Sequence, residues 1–190
     1  IAVGMATNMP PHNLLEVTEA CLRFIDNEDI TVDELLEILP GPDFPTAGSI
    51  MGTSGIKSAY HTGKGIIQVR AKAEIEIHGK QERERIIVSE IPYQVNKAKL
   101  IEKIAKLASE KVLVGISDIR DESNKLGIRI AIDVKRGEPA NIILNKLYKM
   151  TQMQVSFGII FLSIRNGQPK VMNLKEQLQC FIDHRREVVI

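Results

Sequence analysis

From Ile67 to Ile77 the chain alternates strictly. Ile67, Val69, Ala71, Ala73, Ile75 and Ile77 are apolar, and Gln68, Arg70, Lys72, Glu74 and Glu76 between them are polar. A period of two over that length predicts one strand with a buried face and a wet face. His78-Gly79-Lys80-Gln81 turns the chain back into a partner strand over about 83–91. Two more strands are predicted at 115–120 and 128–134, joined by the polar Asp121-Glu122-Ser123-Asn124 loop. Asn166-Gly167 predicts a hairpin between 159–164 and 170–172, because both residues tolerate positive φ.

The helical segments announce themselves by their starts. Asn13-Leu14-Leu15-Glu16, Thr31-Val32-Asp33-Glu34 and Asn173-Leu174-Lys175-Glu176 each place an acceptor side chain three residues before a carboxylate, the form of a capping box. The first helix is expected to reach about Asp26, with Leu14, Val17, Cys21, Leu22 and Ile25 on its apolar face. The second is short, ends near Leu39 and is stapled by Ile30 and Leu35. The third is still running at Ile190. Asn96 caps a helix to about Lys111, with Ile101, Ile104, Ala105 and Ala108 toward a core and Lys99, Lys103 and Lys106 on a basic face. Pro139, at the first helical position, starts another to about Met150. Pro40, Pro42 and Pro45 make 40–46 a stiff extended loop. Interleaved helices and half-wet, hairpin-linked strands predict an α+β fold, a mixed or antiparallel sheet with packed helices.

At 190 residues the chain fits one large domain or two small ones. Its net charge of +1 means that any nucleic-acid binding must come from local clusters of Lys and Arg. No apolar run reaches the ~18 residues of a membrane span, no signal peptide is visible, and a cytoplasmic location is expected. Cys21 and Cys180 lie far apart in helical patterns and read as free, buried thiols.

Catalytic constellations are missing from the pattern. A tyrosine that attacks a phosphate needs a cation beside it, and Tyr60, Tyr93 and Tyr148 have no adjacent Arg. His12, His61, His78 and His184 share no metal-ligand spacing, and no phosphate-binding P-loop is present. The carboxylates Asp118, Asp121 and Glu122 belong to a turn, and Glu82 and Glu84 alternate with arginines. A binding surface is the better expectation. Lys57, Lys64, Arg70 and Lys72 are expected to form one basic stripe with Lys97 and Lys99 at the Asn96 helix start, where a helix N-terminus also favours anions. His61-Thr62-Gly63-Lys64-Gly65 reads either as a backbone cradle for a phosphate or as a loop that needs positive φ.

The first thirteen residues, Ile1 to Asn13, open on an apolar run with no initiator Met and break at Pro10-Pro11. They are expected to hand over from one structural unit to the next. This stretch resembles a segment of the A subunit of bacterial DNA gyrase, a type IIA topoisomerase. The likeness continues in order through Gly41-Pro42-Asp43-Phe44-Pro45-Thr46, Tyr60-His61-Thr62-Gly63-Lys64-Gly65 and Glu90-Ile91-Pro92-Tyr93-Gln94-Val95-Asn96-Lys97. It goes on through Arg120-Asp121-Glu122-Ser123, Gln154-Val155-Ser156-Phe157-Gly158, Gly167-Gln168-Pro169-Lys170 and His184-Arg185-Arg186-Glu187. Several of these motifs look more like gyrase than like its paralogue, topoisomerase IV.

The resemblance implies a tower domain over 10–172, preceded at 1–9 by the junction from a winged-helix unit and followed at 173–190 by the start of a coiled-coil helix. It implies that Ile1 wedges between base pairs of bound double-stranded DNA. Thr46 joins the expected DNA-contacting set through it, beside Lys64, Arg70, Lys97 and Lys99. An apolar wedge unstacks a base step and bends the duplex onto more protein surface. The family enzyme is an ATP-dependent topoisomerase that cuts, passes and reseals duplex DNA and introduces negative supercoils. Its Arg-Tyr nucleophile lies upstream, so this segment by itself is expected to be inactive. The resemblance places Mg²⁺ and ATP on the gyrase B subunit, which becomes one partner. The other is a second copy of the A subunit, in an A2B2 assembly. The same segment of the topoisomerase IV counterpart, or a non-enzymatic interaction module, is the alternative.

Overall fold

The computed structural model describes residues 4–78 and 83–190. Ile1 and the Gly79-Lys80-Gln81 turn lie outside the described residues. In chain order the elements are α1 (Leu14–Asp26), α2 (Val32–Ile38), β1 (Ser49–Ile50), α3 (Ser54–Thr62), β2 (Lys64–Arg70), β3 (Lys72–His78) and β4 (Arg83–Glu90). They continue with α4 (Lys97–Ser109), β5 (Ile116–Asp121), β6 (Ile130–Val134), α5 (Ala140–Met150), β7 (Gln154–Ile160), β8 (Leu162–Arg165), β9 (Gln168–Val171) and α6 (Leu174–Val189). The fold is α+β with antiparallel pairing throughout the registers seen, as the alternation and hairpin signals predict. The sheets run β1-β2-β7, β3-β4-β6-β5 and β8-β9. The chain divides into two compact units, one of 1–45, 52–67 and 156–190, the other of 46–51 and 68–155.

In the second unit α4 and α5 contact β5 and β4 of the four-stranded sheet. Ile86, Val88, Ile130, Ile132 and Val134 meet Leu100, Ile104, Leu107, Ile143 and Leu147 in one apolar cluster. These side chains are almost wholly removed from water, each worth roughly 1.5–3 kcal/mol in transfer terms. The core face of α4 is Leu100, Ile104 and Leu107, with Ile101 and Ala108 at its margin, and Ala105 is exposed. The helix is thus rotated from the expected face, and Leu107 fills the interior with more apolar surface than Ala105 or Ala108 could. On the opposite sheet face the register aligns Arg85 with Asp133, and Glu76 with Arg85. There Asp133 accepts from both Arg85 and Arg120, and Glu122 binds Arg120 and Arg129. Arg129 also reaches Glu76 at 3.1 Å.

The single strand expected over Ile67–Ile77 is two strands, broken at Ala71. The Ala71 N–H donates to the Met153 carbonyl at 2.7 Å, outside either strand's ladder, and the Tyr148 hydroxyl lies 3.4 Å from the Ala71 carbonyl. One alternating sequence therefore serves two sheets, and a register shift follows at Lys72/Ala73. The buried face persists at Ile67, Val69 and Ala71 but fails at Ile77, which is 70% exposed.

In the first unit α1, α2, α3 and α6 pack on one another. Asn13 caps α1 by accepting from the Leu15 and Glu16 N–H groups. The buried residues of α1 are Ala20 and Phe24, whereas Leu14, Leu22 and Ile25 are exposed. The expected apolar face is thus corrected: small Ala20 admits close helix approach and Phe24 fills the space one turn on. Capping boxes form at Thr31/Glu34 and Asn173/Glu176. Ile30 and Leu35 are both buried, as a staple requires. Pro139 precedes α5 at the N-cap rather than occupying its first turn, and the Ala140 N–H is taken by the Glu84 carboxylate at 2.9 Å. Asn166 and Gly167 both have positive φ between β8 and β9, the predicted hairpin.

Candidate nucleic-acid interface

Two of the candidate residues of the second unit, Thr46 and Arg70, flank the pairing of β1 with β2. Ser49 pairs with Arg70 and Ile50 with Val69. Arg70 sits at the end of β2, directly before the break at Ala71. Its guanidinium carbon lies 4.5 Å from the centre of the Tyr148 ring, and its Nε donates to Gln154 Oε1 at 2.8 Å. The same Tyr148 and the residue before Gln154 hold Ala71, so the strand break and the guanidinium share one anchor. Stacking on an aromatic face and a bond at Nε fix the plane of the fork while leaving its far edge unoccupied. Burial pushes the Tyr148 hydroxyl above its ordinary pKa, and the Arg70 charge opposes that in part.

Thr46 is exposed and, with Pro45, forms the turn that leads into β1. Ala47 and Gly48 follow with φ of 56° and 88°. At Gly48 positive φ suits glycine, and a Cβ there would also stand 3.1 Å from the Arg70 carbonyl oxygen. The Gly48 N–H donates to Glu90 Oε2 at 2.7 Å, and the other Glu90 oxygen lies 3.8 Å from Lys72 Nζ. Glu90 therefore holds the Thr46 turn against the start of β3. Glycine and glutamate are ordinary at their places in the sequence, so nothing short of the fold would have paired them.

Lys97 and Lys99 stand in the first turn of α4. Lys97 is half-buried and pairs with Asp121 at 2.8 Å, which places it in a structural ion pair as well as beside the helix start. The Lys97 ammonium, followed by hydrogen bonds from Ser123, lowers the Asp121 pKa to about 2. Lys99 is exposed, and its own N–H is capped by Asn96 Oδ1 at 3.0 Å.

Lys57 and Lys64 belong to the first unit and are exposed. Lys64 begins β2 directly after α3, a helix that the sequence pattern does not announce. Gly63 ends α3 with φ of 80°, and a Cβ there would meet Val171 Cγ1 at 2.6 Å and the Met172 carbonyl oxygen at 2.7 Å. A Cβ on Gly65 would come 2.2 Å from the Gly55 carbonyl oxygen. Of the two readings of this loop, positive φ and close backbone packing account for its glycines without a ligand. Ile1 is outside the described residues.

The tyrosines are engaged in packing. Tyr60 is fully buried, with its hydroxyl 2.8 Å from His12 Nε2, and burial raises its pKa far above the ordinary value. Tyr148 does have an arginine at its face, one distant in sequence, but its hydroxyl is directed to a backbone carbonyl. Among the described residues no group of His, Cys, Asp or Glu is placed to hold a metal ion. Both cysteines are free and half-buried. Among the described residues no helix is long and apolar enough to cross a membrane.

Fold and geometry define an α+β chain with an arginine seated on an aromatic ring beside an exposed turn, and wider comparison assigns its family. The chain belongs to the DNA gyrase/topoisomerase IV A-subunit family, whose sequence model matches residues 1–190. It is 59% identical over 189 residues to the DNA gyrase A subunit of Escherichia coli (strain K12), covering all of this chain and 22% of that protein. Its identity to the DNA gyrase A subunit of Haemophilus influenzae is also 59% over 189 residues, covering all of this chain and 21% of the relative. Against the Pseudomonas aeruginosa protein of the same name it is 56% over 190 residues, again with all of this chain and 21% of the relative covered. The chain spans about a fifth of the length of these curated relatives.

Proposed function

We propose that this chain is the DNA-gripping tower segment of a gyrase A subunit, within an ATP-dependent type IIA topoisomerase that cuts, passes and reseals duplex DNA and introduces negative supercoils. Family membership over residues 1–190 is the observation that carries the reading. The names of the relatives favour gyrase over topoisomerase IV. In this reading 1–9 join the segment to a winged-helix unit, 10–172 form the tower, and α6 from Asn173 opens the coiled coil. Ile1 serves as the wedge at a base step, while Thr46, Lys64, Arg70, Lys97 and Lys99 hold the phosphate backbone. The tyrosine nucleophile is assigned to another part of the parent protein, and Mg²⁺ and ATP to the B subunit, so the segment by itself grips and bends without cutting. Its partners are duplex DNA, the B subunit, plus a second copy of the parent protein in an A2B2 assembly, in the cytoplasm.

Phosphate contacts predict binding that is indifferent to sequence and steep in salt. Filter binding of the chain to two unrelated duplexes at about 50 and 200 mM salt tests this. Equal affinities that fall together with salt support the reading. Negligible binding at both concentrations favours a protein-interaction module, in which the lysines only solvate the surface.

A further inference from the structure

We propose that Tyr148 and Gln154 are positioning residues that hold the Arg70 guanidinium as a preformed phosphate fork. The inference rests on the DNA-binding reading above and deepens it. An unrestrained arginine loses much rotamer freedom when it grips a phosphate, and a restrained one loses less. Arg70 is restrained on two sides: its face lies on the Tyr148 ring at 4.5 Å, and its Nε donates to Gln154 at 2.8 Å. Among the described residues no carboxylate pairs with it and no hydrogen bond engages its two Nη groups. A half-buried guanidinium with two free Nη donors and a locked plane is suited to two parallel bonds to one phosphate.

The surroundings agree with such a use. Tyr148 directs its hydroxyl to the Ala71 carbonyl, and Met153 accepts from the Ala71 N–H, so the platform is fixed to the backbone that carries Arg70. Arg70 also lies opposite Ser49 in the β1–β2 register, and Ser49 follows shortly after the exposed Pro45-Thr46 turn. The strand break at Ala71 thus has a consequence beyond topology: it seats the arginine on its platform.

The test is a double-mutant cycle in the full-length parent protein, reading duplex affinity and its salt dependence. Arg70→Ala is expected to weaken binding roughly tenfold and to reduce the salt slope by about 0.9, the loss of one phosphate contact. Tyr148→Leu removes the ring face and is expected to weaken binding severalfold, while Tyr148→Phe keeps the face, gives up only the long 3.4 Å bond to the Ala71 carbonyl and is expected to retain most of the affinity. Tyr148→Leu added to Arg70→Ala is expected to change nothing further, since its effect passes through the guanidinium. Gln154→Leu, which removes only the Nε acceptor, should likewise weaken binding in the parent and be silent beside Arg70→Ala. Equal losses for Tyr148→Phe and Tyr148→Leu, or losses that multiply with Arg70→Ala, would show general damage and overturn the proposal. Arg70→Ala with unchanged affinity and slope would overturn it while leaving the DNA-binding reading intact. Absence of duplex binding by the unsubstituted protein would overturn both.

Discussion

Gly65 faces Gly55 so closely that a methyl group on Gly65 would lie 2.2 Å from the Gly55 carbonyl oxygen. In the converse direction, a methyl on Gly55 would lie 2.0 Å from the carbonyl oxygen of Ile66. The start of α3 and the start of β2 therefore touch backbone to backbone, which only glycine permits. Gly65→Ala and Gly55→Ala are each expected to destabilise the protein by about 1–3 kcal/mol through forced backbone shifts. Gly158→Ala, where nothing lies within 4 Å of the added carbon, is the control and should stay within about 0.5 kcal/mol. Denaturant midpoints at unchanged slope measure the difference.

Asp133 is the hub of the charged sheet face. It is 15% exposed and accepts from Arg85, itself 17% exposed, and from Arg120. Both arginines hold its pKa below the ordinary value against the opposing effect of burial, which is the larger single cause. Asp133→Ala would leave two guanidinium groups without their shared acceptor. The expected cost is about 1–3 kcal/mol, below the fully buried limit because water still reaches the pair. Asp133→Asn should recover part of that loss by keeping an acceptor oxygen. Thermal unfolding of the two variants side by side would show the order, and equal midpoints for both would argue against the hub.

His12 links the first unit's stability to pH. Its Nδ1 lies 2.8 Å from the Pro10 carbonyl oxygen and its Nε2 2.8 Å from the Tyr60 hydroxyl, an arrangement satisfied by a neutral ring with its proton on Nδ1. Burial lowers its pKa below 6.5, while the Pro10 carbonyl and nearby Asp43 pull the other way. A lowered folded value means that the unfolded chain takes up a proton first. The contribution is therefore complete above pH 6.5 and is lost as pH falls from there through the folded value. The slope from this one residue is at most about 1.4 kcal/mol per pH unit. Urea unfolding from pH 7.5 to 5 should lose stability in the parent more steeply than in His12→Gln. Parallel curves would exclude His12 as the source.

The start of α6 rests on reciprocal bonds: Asn173 Oδ1 accepts from the Glu176 N–H at 2.8 Å, and Glu176 Oε2 accepts from the Asn173 N–H at 3.0 Å. Asn173→Ala should cost about 1 kcal/mol and increase amide exchange in the first turn, with little change at Ile182. Uniform exchange along the helix in the variant would contradict a local cap.

Much of this fold is legible where the signal is local. Asn173, Thr31, Asn96 and the Asn166-Gly167 turn act through atoms a few residues away, so spacing alone locates them. Apart from α3, which no local pattern announces, the clearest failures involve partners distant in sequence. Ala71 reads as the middle of one strand because its own neighbours alternate; the break comes from Met153 and Tyr148. Leu14, Leu22 and Ile25 match a helical stripe, yet the neighbouring helices select Ala20 and Phe24. Arg70, Lys64, Lys97 and Lys99 are visible as cations, but the platform under Arg70, the Glu90 clasp on Gly48 and the Asp121 partner of Lys97 are products of tertiary packing.

The central claim is that this segment grips duplex DNA through its phosphates and bends it. Energy transfer between dyes at the two ends of a short duplex, titrated with the full-length parent protein in the proposed A2B2 assembly, tests both halves at once. The account predicts that the ends approach on binding and that the affinity falls steeply with salt. It also predicts that Ile1→Ala reduces the bend while Arg70→Ala reduces the affinity. A duplex that is bound but stays straight, or an affinity that is flat in salt, would contradict it.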